Sequence, residues 1–211
     1  MEHEKSLLPW EFDKSKAVLL VIDMQNDFVN EGAVMEVPMA REHLPNMKRL
    51  VEGCRKNDIP VIYTRHVLYD HMAVSPLEVA YNPSLITEGM RANTPGVEIV
   101  EDLSPQPGEI VISKHRYDAF YNTEMETIIK NIRGMHVADT VIIIGTVTSV
   151  CCESTARSAF NRDLKVAFIS DACGGFDKQS HDATLSTIAK VFGRVMRTDE
   201  LLKQMQRGKE V

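Results

Sequence analysis

The chain has few aromatic residues. One tryptophan, five tyrosines and seven phenylalanines in 211 residues leave the core to aliphatic side chains. It also lacks a basic excess. Lys and Arg number 24 against 30 Asp and Glu, a formal charge of −6, which excludes a general basic face and gives no reason to expect a nucleic-acid partner. No apolar run approaches the roughly 20 residues of a membrane span, so no membrane partner is expected. The stretch Met1–Lys16 is charged and has no secretory-leader core. Cysteines number four, and two of them are adjacent. That is a poor disulfide framework for a chain of this size and fits a reducing, cytoplasmic setting. Neither repeats nor low-complexity tracts interrupt the sequence. The length suits one well-cored domain, taken here as 1–211.

What is present is a repeated pattern of apolar strand followed by helix. Ala17-Val-Leu-Leu-Val-Ile-Asp23 reads as a buried strand ending in a carboxylate. Residues 40–56 carry helical periodicity through Leu44, Met47, Leu50, Val51 and Cys54, and Val61–Thr64 follows as a second strand. Residues 65–108 are rich in Pro and Gly and read as a long loop, a candidate lid or interface. His66 and His71 within it have no clean ligand spacing with a carboxylate and read as loop or surface residues. Glu109–Lys114 is a third strand with a lysine at its end, followed by a helix near 124–133. Thr140–Ile144 is the fourth, followed by a helix near 151–161. Lys165–Asp171 and Arg194–Met196 complete the set, with a helix over 181–191 between them and a polar tail after them. Alternation at this spacing predicts a three-layer α/β/α fold, a Rossmann-like, six-stranded, mostly parallel sheet with helices on both faces.

Right-handed crossovers place the carboxyl ends of such strands on one edge. Asp23, Lys114 and Cys151 each lie at or just past an end, so one edge gathers a carboxylate, an ammonium and a thiol. Cys151 stands where Val141-Ile-Ile-Ile-Gly145 turns into a helix. Unpaired N–H groups and the helix dipole there favour thiolate and an oxyanion. The competing reading makes Cys151 and Cys152 small buried fillers. A thiol beside an ammonium and a carboxylate suits amide cleavage. The thiolate attacks a carbonyl, the carboxylate moves the proton, and the N–H groups of Thr148 and Cys151 hold the oxyanion. Phe28, Tyr117 and Phe120 are candidate walls for a small planar substrate, and Arg116 and Arg91 candidate partners for a carboxylate. Gln179 and His181 are weaker candidates, and His181 suits a core role equally well.

The sequence resembles the isochorismatase-like cysteine hydrolase family over about residues 14–200. Four blocks carry the likeness: Val21–Phe28; Lys114 with Phe120-x-x-Thr123; Gly145-x-x-Thr148-x-x-Cys151-Cys152-x-x-Thr155-Ala156; and Asp171-Ala172 with His181 and Ala183. The resemblance implies a catalytic triad of Asp23, Lys114 and Cys151, a cis peptide at Val147–Thr148, a packing role for Cys152, and a homodimer or homotetramer. Isochorismatases proper resemble this pattern without the thiol, so its presence points to C–N cleavage of a small amide or ureide. Metal-dependent nicotinamidases are similar but carry an Asp-x-His motif after the second strand. Tyr63–Tyr69 lacks it, so no metal and no cofactor is expected. The nearest look is to the ureide branch, the ureidoacrylate amidohydrolases, biuret hydrolases and N-carbamoylsarcosine amidohydrolases. The alternatives are a metal-dependent nicotinamidase and a non-catalytic binding or scaffold member of the fold.

Overall fold

The computed structural model describes residues 10–69 and 76–206; His71 lies outside them. The strands are β1 (Ala17–Ile22), β2 (Val61–His66), β3 (Ile110–Lys114), β4 (Thr140–Thr146), β5 (Lys165–Gly174) and β6 (Arg194–Met196). They form one sheet in the order β3-β2-β1-β4-β5-β6. Every neighbouring pair is parallel, so the sheet is wholly parallel where a mostly parallel one was expected. The order reverses between β1 and β4, and ligands bind beyond the strand ends at such a reversal.

Both faces are covered, as the β-branched strands require. Leu19 and Val21 of β1 face one core with Met47, Leu50 and Cys54 of α2 (Pro38–Lys56) and Leu201 and Met205 of a C-terminal helix. Val18, Leu20 and Ile22 face the other, with Met125 and Ile129 of one helix and Ala156 and Ala159 of another on that side. This is the three-layer α/β/α arrangement.

The remaining helices in chain order are α1 (Asn26–Val29), α3 (Pro76–Tyr81), α4 (Met125–Asn131), α5 (Glu153–Phe160), α6 (Lys178–Thr187) and α7 (Thr198–Gln206). Helix α7 replaces the expected polar tail. Its start is fixed by Asp171 Oδ1, which accepts from the Thr198 N–H at 2.8 Å and the Thr198 hydroxyl at 2.9 Å. Leu201 and Met205, four apart, bury its apolar stripe. The described part of 65–108 is sewn onto the loop after β1. Asn26 N–H donates to Glu98 O, Val100 N–H to Met24 O, and the Gln25 side-chain N–H to Val97 O.

β4 continues past its apolar run to Thr146, and a π-helical turn, Thr148–Cys152, then leads into α5. The cis peptide is Thr146–Val147, one residue before the expected Val147–Thr148, because the turn starts as soon as the longer strand ends. Gly145 sits at φ 122°, and a Cβ there would run into the Ile22 backbone. Only glycine lets β4 pass the end of β1 so closely.

Candidate active site

Asp23 leaves β1 with φ 47°, which turns its side chain back over the sheet edge. Its backbone N–H donates to Thr64 Oγ1 at 3.1 Å, and the Thr64 hydroxyl donates to Asp23 Oδ1 at 2.6 Å. Oδ2 lies 2.6 Å from Lys114 Nζ, with both side chains fully buried. Lys114 ends β3, two strands away, and its ammonium also donates to Arg116 O at 3.0 Å. These bonds offset the cost of burying both charges.

Cys151 lies in the π-helical turn and is 3% exposed. Val147 O holds the turn by accepting from the N–H groups of Val150 and Cys152 at 3.0 and 3.1 Å. Thr148 Oγ1 is 2.9 Å from His181 Nδ1, so His181 supports the turn from behind. On the other side, Thr155 Oγ1 accepts from Ala119 N–H at 3.1 Å and ties α5 to the loop after Lys114.

Burial pushes the Cys151 thiol up. Lys114 pulls it down, while Asp23 pushes it further up, and the net direction is upward. The expected ready thiolate is therefore corrected: the resting group is a thiol, because desolvation outweighs the turn and the ammonium. For Lys114, burial acts downward, but the Asp23 carboxylate and Cys151 outweigh it, and its pKa is raised.

Sequence reasoning missed His66. β2 runs two residues beyond Thr64, so His66 ends the strand between those bearing Asp23 and Lys114, in register with Lys114. It is 1% exposed, not a surface or loop residue. Gln25 clamps its backbone, accepting from His66 N–H at 2.7 Å and donating to His66 O at 3.0 Å. Burial, then Lys114 and Arg116, hold its imidazole well below 6.5. Buried Glu78 of α3 stands with an oxygen 3.4 Å from His66 Nε2, and burial raises the pKa of that carboxyl while Arg116, Lys114 and Tyr117 act to lower it. The parallel register would have revealed His66: a strand between two site-bearing strands ends in the site.

Other candidates are divided. Tyr117 is 41% exposed, and its ring lies 5.9 Å from that of His66. Arg116 and Tyr117 line an open depression of about 300 Å³ with Asp118, Tyr121 and Ser154. Phe28 and Phe120 are packed in opposite cores, with the Arg162 guanidinium 4.8 Å over the Phe120 ring. Neither lines that depression: Phe28 is buried within α1 and Phe120 in the loop before α4. Arg91 donates to Leu85 O, and Gln179 is exposed. A larger hollow, about 420 Å³ between Trp10, Phe160, Phe192 and Arg194, lies against the start of β5, away from this chemistry.

Among the described residues, Asp23, His66 and Cys151 bring ligand atoms within 4.8 Å of one another. They do not fit a metal well. Lys114 already holds Asp23, and its charge opposes a cation there.

An isochorismatase domain model matches residues 17–200. The chain is 34% identical over 192 residues to nicotinamidase 3 of Arabidopsis thaliana, covering 90% of this chain and 88% of that protein. It is 27% identical to the ureidoacrylate amidohydrolase RutB of Rhizobium rhizogenes, over 86% of this chain and 80% of that one. Some relatives are longer: the chain spans 65% of enterobactin synthase component B of Escherichia coli (strain K12). The solved cysteine hydrolase of Pseudomonas syringae pv. phaseolicola 1448A superposes with a TM-score of 0.89 at 28% identity, over 97% of this chain and 99% of that one. With the match running from β1 into α7, the chain belongs to the isochorismatase family of hydrolases.

Proposed function

We propose that the protein is a cysteine amidohydrolase that cleaves a C–N bond of a small amide or ureide through a thioester. The observation that carries this reading is the buried convergence of Asp23, Lys114 and Cys151 at the reversal of strand order. Asp23 takes the Cys151 thiol proton as Sγ bonds to the carbonyl carbon. The carbonyl electron pair moves onto oxygen, where the Thr148 and Cys151 N–H groups receive it. On collapse the C–N bond breaks, and Asp23 returns the proton to the leaving nitrogen. Water then gives a proton to Asp23 and its hydroxide attacks the thioester. The C–S bond breaks and the thiolate recovers its proton. Lys114 holds the carboxylate in line and stabilises the thiolate while it exists. Because the resting thiol is protonated, the transfer to Asp23 belongs to the attack and does not precede it.

Arg116 and Tyr117, which line the open depression, are the substrate contacts this reading retains. All four cysteines are free and buried, which supports a cytoplasmic setting, and no helix among the described residues is long and apolar enough to cross a membrane. A nicotinamidase remains the second reading, favoured by the identity to nicotinamidase 3. Ammonia release from biuret, N-carbamoylsarcosine, ureidoacrylate, nicotinamide and an aliphatic amide, with wild type beside Cys151→Ala, tests both. Release from one compound that disappears in the variant supports the hydrolase; release that survives in the variant removes Cys151 as nucleophile.

A further inference from the structure

We propose that His66 and Glu78 form the leaving-group pocket: they accept the second N–H of an unsubstituted amide nitrogen and leave no room for an N-alkyl group. This rests on the amidohydrolase reading above and adds to it which amides the site takes. The triad accounts for Asp23, Lys114 and Cys151 but leaves a buried polar atom unexplained. His66 Nε2 has no hydrogen-bond partner, and Glu78 Oε1, at 3.4 Å, is beyond good hydrogen-bond reach. An orphaned buried nitrogen costs about 1–3 kcal/mol unless something meets it, and this one belongs to a side chain with a ring nitrogen within 4.8 Å of Cys151 Sγ and an Asp23 oxygen.

The geometry divides the substrate. The open side is the depression at Arg116, Tyr117, Tyr121 and Ser154, which suits the body of the molecule. The closed side is walled by His66 and Glu78, 1% and 6% exposed, and adjoins Asp23, which must hand its proton to the leaving nitrogen. An –NH2 placed there turns one N–H toward Asp23 and the other toward Nε2 and Oε1, which stand 3.4 Å apart and can share it. The imidazole stays neutral under burial and the charges of Lys114 and Arg116, so a ring nitrogen is available as acceptor. The Tyr117 ring lies 5.9 Å from that of His66, and Gln25 fixes the His66 backbone. A methyl on the leaving nitrogen would take the place of that N–H and meet two polar atoms.

The test separates binding from turnover. In a Cys151→Ala background, calorimetry gives dissociation constants for benzamide against N-methylbenzamide and for butylurea against 1-butyl-3-methylurea. The unsubstituted twin is expected to bind about tenfold or more tightly, the worth of one well-made buried hydrogen bond plus the clash avoided. Adding Glu78→Ala or His66→Ala should bring the ratio toward one by improving the N-methyl twin, a gain that damage to the fold would not produce. Glu78→Gln keeps the size and an acceptor and should keep the preference. A ratio near one in the Cys151→Ala protein, no heat for either twin of both pairs, or a preference untouched by both alanine variants overturns the proposal. Ammonia release by the intact enzyme is read apart. Release without the twin preference keeps the hydrolase and rejects the pocket; the preference without release does the reverse.

Discussion

Lys114 reaches across the end of β2 to place its ammonium 2.6 Å from Asp23. The two residues belong to strands that never touch, and the strand between them supplies both Thr64, which bonds the same carboxylate, and His66. A carboxylate held from two sides has one orientation, which is what the proposed proton shuttling to and from sulfur would require.

Cys151→Ala should abolish turnover while leaving the fold intact. The lost sulfur is one small atom at the edge between the polar site and the core around Ile22 and Ala156, so the melting midpoint should move by no more than the equivalent of about 1–2 kcal/mol. Cys151→Ser should also fall by roughly a thousandfold or more in kcat. Steady-state assays with thermal melts check both, and a variant retaining wild-type kcat would end the role assigned to the thiol.

Charge neighbours of Cys151 act in opposite directions, and alkylation should report them. Asp23 raises the thiol pKa and Lys114 lowers it. Asp23→Asn should therefore speed iodoacetamide labelling of Cys151 at neutral pH, and Lys114→Met should slow it, each by about tenfold. Both variants should lose turnover. Peptide mass spectrometry reads the label, and matching rates in the two variants would contradict the electrostatic account.

Gly145→Ala should destabilise by about 3 kcal/mol or more, or fail to fold, because the new Cβ meets the Ile22 backbone at a positive φ. Denaturant melts measure this. A loss below about 1 kcal/mol would mean that the two strands separate easily.

Stability should fall on acidification. Burial, first among the causes, lowers the pKa of both His66 and His181 from 6.5. Below 6.5 the unfolded chain takes up protons that the folded one refuses, so each residue contributes a loss that begins there and continues down to its folded pKa. His66→Gln removes one contribution. Its melting midpoint should decline less steeply than wild type between about pH 7.5 and about pH 5.5. Parallel declines would place the charged imidazole in the folded state.

The legible parts of the sequence were those where burial and composition agree. Ala17–Ile22 and Val141–Ile144 are apolar on both faces because both faces are covered, so they read directly as central strands. Val61–Thr64 of β2 was legible, but the strand's last two residues were not: His66 is buried beside Asp23 and Cys151, and a polar residue at a strand end looks like loop. In α7 the charges of Asp199, Glu200 and Lys203 hid the Leu201–Met205 stripe. The thiol was misjudged because a helix start is visible in a sequence, whereas the depth at which it lies is not. A cis peptide between Thr146 and Val147 leaves no mark in the residues themselves.

The proposed triad is drawn from the ends of β1, β3 and β4, and β3 reaches β1 only through β2. No hairpin or single β–α–β unit contains it. A refolding chain must close several long parallel crossovers before Asp23, Lys114 and Cys151 meet, and such pairings form slowly. Regained activity would thus lag behind regained helix signal, and the enzyme's own reaction would serve as a clock for assembly of the sheet from its β3 edge through β4.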